Sequence, residues 1–134
     1  MSQENVQLVM RCFELFNRGE MEAMLRLVDP AIETTEGDEL PGATRYVGHA
    51  GLATAYEHWA DQWDDFRMEV EETIDAGKNV VMVTRHHGRG RASGVAVEAV
   101  VSYVWTVQNG KVVRFRIFNS KAQALEAVGQ WEER

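Results

Sequence analysis

The chain has 134 residues, 45% apolar and 26% charged, enough for one domain with a substantial core. Its formal net charge of −7 argues against nucleic acid or an anionic membrane as partner, although Arg85, Arg89 and Arg91 form a local basic group. The single cysteine, Cys12, excludes an intrachain disulfide, and the absence of a membrane-length apolar window or a secretory leader makes a reducing cytoplasm the expected setting.

The first element is an amphipathic helix over Gln3–Arg18. Val6, Val9, Phe13 and Phe16 recur at helical steps, and Leu8, Cys12 and Leu15 widen the stripe. Ser2 is the expected N-cap and Asn17-Arg18-Gly19 the stop. A short helix over Glu20–Val28 follows, ended by Asp29-Pro30, since a residue before proline is pushed out of the helical region. Ala31–Thr35 reads as a short strand. Glu36–Tyr46, with Gly37, Pro41 and Gly42, reads as an irregular loop suited to rimming a pocket. The third helix is expected over Gly48–Asp65. Leu52, Tyr56, Trp59 and Trp63 fall on one face of it, a large apolar stripe with polar tips. His49 and His58 fall off that stripe and read as surface residues.

Phe66–Asp75 alternates as a strand and Asp75–Asn79 is a turn. The next stretch, Asn79–Asn119, reads as three strands: Asn79–Arg91, Val95–Gln108 and Lys111–Asn119. Gly94 and Asn109-Gly110 punctuate them. Val80–Val83 and much of Val97–Val107 are apolar on both faces, unlike an antiparallel sheet with one wet face. The preceding helices can cover one face, so a homodimer through the other is expected. Gly88-Arg89-Gly90-Arg91 lies inside a strand and reads as a bend, not a phosphate loop. Ser120 with Gln123 is a capping box opening a last helix that buries Ala124, Leu125 and Val128.

This order of elements, with Tyr46-Val47-Gly48-His49-Ala50-Gly51-Leu52, the hairpin Val104–Arg114 and the ending Phe118–Gly129, resembles the SnoaL-like branch of the nuclear transport factor 2-like superfamily. The resemblance covers nearly the whole chain, as a single domain over residues 1–134. It implies an α+β cone: a strongly curved mixed or antiparallel sheet wrapped around N-terminal helices, with an internal pocket. It also agrees with dimerisation through the sheet. The family includes ketosteroid isomerases, polyketide cyclases, limonene-1,2-epoxide hydrolases and non-enzymatic members, so fold alone does not select a reaction. Aligned with the epoxide hydrolases, Arg85 matches their arginine, while His87 and Ile117 stand where their aspartates would be. Epoxide hydrolysis is therefore disfavoured. The acids of the isomerase pattern cannot be placed either.

Alternation sorts one central strand into two sets. Met82, Thr84, His86 and Gly88 face one way; Val81, Val83, Arg85, His87 and Arg89 face the other. The candidate catalytic set is His87 as acid/base, Arg85 as anion holder and Tyr103 as donor to a carbonyl oxygen. Such a set suits proton transfer next to a carbonyl, as in a cyclase or isomerase without metal or organic cofactor. The competing reading pairs Arg85 with Glu98 across the sheet and leaves His87 a satisfied strand residue. Tyr56, Trp59, Trp63, Phe115 and Asn119 are the expected ligand-binding residues for a small apolar or aromatic molecule. The alternative is a non-catalytic binder or a dimerising scaffold whose own side chains fill the cavity. Four histidines without ligand-like spacing make no metal site.

Overall fold

A computed structural model describes residues 2–36 and 44–129. Its elements are α1 (Ser2–Asn17), α2 (Met21–Leu25), β1 (Val28–Glu36), β2 (Thr44–Val47), α3 (Gly48–Ala60), β3 (Trp63–Ala76), β4 (Asn79–Gly90), β5 (Ala96–Gln108), β6 (Lys111–Phe118) and α4 (Lys121–Ala127). The side chain of Ser2, the expected cap, and residues 37–43 of the expected loop lie outside this description.

The strands form one six-stranded sheet in the order β2-β1-β6-β5-β4-β3. β1 runs parallel to β6 and every other neighbour is antiparallel. The sheet is therefore mixed and open, with β2 and β3 at its edges. Register shifts interrupt β1, β3 and the β5–β6 pair, and such bulges bend and twist a strand locally. The result is the expected α+β cone, with α1, α2 and α3 against the inner face.

The core sits between those helices and the sheet. Val9, Cys12, Phe13 and Leu15 of α1 pack with Met24, Ile32, Met82, Tyr103, Trp105 and Phe115. Cys12 is a small buried hydrophobe in this cluster, and burial pushes its thiol pKa up to about 12. Asn17 Nδ2 donates to the Met68 carbonyl at 3.2 Å, which ties the end of α1 to β3.

Several boundaries move. The second helix is shorter than its apolar pattern suggests, because Val28 pairs with Val112 as the start of β1. Tyr46 belongs to β2, which pairs with β1. The third helix stops at Ala60, and Trp63 opens β3 opposite Gly90. The four-, three- and four-residue spacing that placed Trp63 on the helix was satisfied by coincidence. His49 is half-buried, and its Nε2–H donates to the Val28 carbonyl at 2.9 Å, joining α3 to β1.

The turn and cap signals hold. Asn109 and Gly110 both take positive φ, 52° and 75°, as a two-residue hairpin turn of the twisted kind requires. The Ser120 hydroxyl accepts from the Gln123 backbone N–H at 3.1 Å, capping α4. Gly88 marks a close approach. A Cβ there would lie 3.0 Å from Cε3 of Trp63 and 3.3 Å from Cδ1 of Phe66.

The outer face of the sheet differs from expectation in one respect. α4 folds back over it, burying Val81, Val104 and Phe118 against Ala124, with Ile74, Leu125 and Val128 around them. The two-sided apolar pattern of β4 and β5 is thus met partly by the chain's own last helix. Farther along the same face the strands carry ion pairs instead.

Candidate functional site

The inner face and α3 enclose a cavity of about 300 Å³. Its aromatic wall is Phe16, Tyr56, Trp59, Tyr103 and Phe115. Its polar positions are Thr34, Glu36, His58, Gln62, His86 and Asn119. Each strand contributes by register. Tyr103 sits opposite Met82 and Ile117, and Thr34 opposite Phe115, so these residues share the inner surface. A smaller void of about 20 Å³ lies in the core and shares Phe16, Leu52, Tyr103 and Phe115 with the cavity.

His86 is the polar centre of this wall. It is 6% exposed, and its ring meets Trp59 and Phe66 edge-on at centroid distances of 5.7 and 5.3 Å. Its Nε2 lies 3.0 Å from the Tyr103 hydroxyl, which also reaches Met68 Sδ at 3.4 Å. Burial, and then the charge of neighbouring His87, lower the His86 pKa from the ordinary 6.5 to about 4. Burial likewise raises the Tyr103 pKa well above the usual phenol range, opposed in part by the nearby Thr84 hydroxyl. At neutral pH both groups are uncharged. His86 Nδ1 and Thr34 Oγ1 are buried with no hydrogen-bond partner among the described residues. Both belong to residues of the cavity wall.

The expected His87–Arg85–Tyr103 constellation does not assemble. Tyr103 lines the cavity, but Arg85 and His87 project from the opposite face of β4. Arg85 Nε donates to Glu71 Oε2 at 2.6 Å, and its Nη1 donates to Glu98 at 3.3 Å. His87 stands between Glu69 and Glu98, with Nε2 3.0 Å from Glu69 Oε1 and Nδ1 3.1 Å from Glu98 Oε2. The physical reason is strand parity: Arg85 and His87 share a face with Val81 and Val83, which look outward.

Of the expected ligand-binding residues, Tyr56, Trp59, Phe115 and Asn119 line the cavity. Trp63 stands behind them, its ring 5.5 Å from that of Trp59 and 6.1 Å from that of Phe66. His86, Glu36 and Thr34 were missed. For His86 the signal was present, because it alternates with Met82 and Thr84. For Glu36 it was weak, since the glycine after it reads as loop. Among the described residues, no three His, Cys, Asp or Glu side chains gather as a metal site. No helix among them is long and apolar enough to cross a membrane.

The curved sheet, the helices packed inside it and the cavity between them define a nuclear transport factor 2-like protein. Residues 9–115 match the model of the SnoaL-like domain family, and the chain belongs to that family. Among solved structures, an NTF2-like protein from Burkholderia thailandensis is 31% identical, covering 89% of this chain and 95% of its own, with a TM-score of 0.75. An NTF2-like protein from Burkholderia xenovorans is 27% identical over 96% of this chain and 98% of its own, with a TM-score of 0.73. TerC, co-crystallized with polyporic acid, is similar in fold at 20% identity, covering 93% of this chain and 98% of its own, with a TM-score of 0.74. No curated protein sequence matches the chain significantly.

Proposed function

We propose that this protein binds a small, largely aromatic molecule in the cone. The supporting observation is the cavity itself: about 300 Å³, walled by Tyr56, Trp59 and Phe115, with the His86–Tyr103 pair set into the wall. Ligand sites of roughly 300–1,000 Å³ combine such apolar walls with a few placed polar groups. Among the lining residues, Asn119, Gln62 and Glu36 carry side chains able to hydrogen-bond an oxygen or nitrogen of the guest. A scaffold filled by its own side chains is disfavoured by a cavity of this size.

The low pKa of His86, about 4, weighs for binding over general-base catalysis. A base works best with a pKa near the working pH, and this imidazole holds a proton too weakly. The test is titration with hydroxylated polycyclic aromatics, beginning with a naphthol. Saturable quenching of tryptophan fluorescence, lost on Trp59→Ala or Tyr103→Ala, is the expected result. An absence of saturable binding across the panel overturns the reading.

A homodimer through the sheet is a separate reading, supported by exposed valines in the first half of β5, Val97 (40%) opposite inner-facing Gly88 and Val100 (36%) opposite outer-facing Arg85. Light scattering at micromolar concentration tests it, and a monomer mass overturns it.

A further inference from the structure

The two faces of the sheet carry different charge. Arg85, Arg114 and Arg116 lie on the outer face by register, where Arg85 pairs with Glu71 and Glu98 and Arg114 with Glu33 at 3.4 Å. Among the described residues, no lysine or arginine lines the cavity. Its one carboxylate there is Glu36, which shares the inner face with Thr34, Phe115 and Ile117. Glu36 forms no ion pair among the described residues, whereas Glu33, three residues earlier on the outer face, meets both Arg45 and Arg114. Among the described residues, the site therefore combines a carboxylate that forms no ion pair with several aromatic rings.

Each part favours the same ligand charge. Trp59, Tyr56 and Phe115 are rings whose π systems attract a cation, and a partly desolvated carboxylate strengthens that attraction. An anion would meet Glu36 with no compensating base among the described cavity residues, and the net charge of −7 adds a repulsive field. We propose that the cavity selects aromatic amines, bound as ammonium ions against Glu36 and the ring faces, over aromatic carboxylates of the same shape. This rests on the reading of the cavity as a binding site and names the charge class of its ligand.

The experiment uses a matched series on the full chain: a naphthyl-methylammonium, the corresponding naphthyl-methanol and the corresponding naphthoate, titrated by calorimetry. The ammonium is expected to bind at least roughly tenfold tighter than the carboxylate, with the alcohol between them. Glu36→Gln is expected to remove most of the ammonium's advantage over the alcohol, with circular dichroism of the variant reporting that it is folded. If the alcohol binds but the series is flat or inverted, this inference is overturned and the binding reading stands. If Glu36→Gln weakens all three ligands equally, Glu36 has a structural role and the inference is again overturned. If none of the three binds, the binding reading fails and takes this inference with it.

Discussion

His86 Nε2 lies 3.0 Å from the Tyr103 hydroxyl, across the β4–β5 pair and beneath the cavity. The imidazole Nε2 and the phenol hydroxyl satisfy each other, and neither side chain can be removed without leaving a polar atom of the other dry.

Tyr103→Phe takes away that partner. The expected cost is about 1–2 kcal/mol of stability, the penalty for a buried polar nitrogen left unpaired. Denaturant unfolding followed by circular dichroism measures it. An unchanged midpoint would show that water already solvates His86.

Folding lowers the His86 pKa from 6.5 to about 4. Between those values the unfolded chain holds a proton that the folded chain lacks. This group's contribution therefore leaves stability unaffected above pH 6.5 and reduces it as pH falls toward 4. Allowing for screening by water in the open cavity, the loss is expected to be roughly 2 kcal/mol. Unfolding midpoints across that range in the wild type and in His86→Gln check it: the variant should show a flatter acid limb.

Gly88→Ala would bring a methyl to 3.0 Å from the Trp63 ring. Since Trp63 is held by Trp59 and Phe66, the ring has little room to yield. A loss of about 1–3 kcal/mol is expected, seen as a drop in melting temperature.

Arg85→Ala and His87→Ala separate the two faces of the sheet. Both side chains pair with acids on the outer surface. Ligand affinity should be unchanged in both variants. A loss of binding in His87→Ala would mean that this residue reaches the ligand after all.

Ser120→Ala removes the hydroxyl that caps α4. About 1 kcal/mol is the expected loss. Because α4 covers Val81, Val104 and Phe118, hydrogen exchange should rise on that part of the outer face before it rises around the cavity.

Local chemistry was legible in the sequence. Asn109-Gly110 fixes its hairpin because both residues tolerate positive φ, and Ser120 with Gln123 caps its helix because an unpaired N–H lies within reach of a hydroxyl. Alternation along β4 sorted the residues correctly into two sets, but not which set faces inward. Val80–Val83 is apolar on both sides, so one strand alone carries no marker for the core. The marker lies in the partner strand: Tyr103 opposes Met82, which places it with Thr84 and His86 rather than with Arg85 and His87. The helical spacing that claimed Trp63 failed for a related reason, since pairing with Gly90 in the sheet outweighed a periodicity that the segment happened to satisfy.

The sequence by itself determined the order of elements apart from β2, whose Thr44–Tyr46 part read as loop, together with the turns, the last cap and the family-like architecture, because these depend on interactions between near neighbours. Only the tertiary structure decided that His86, Thr34 and Glu36 meet the aromatic wall and that Arg85 and His87 turn away. Those outcomes depend on which face the helices cover, and that is set by packing between segments far apart in the chain.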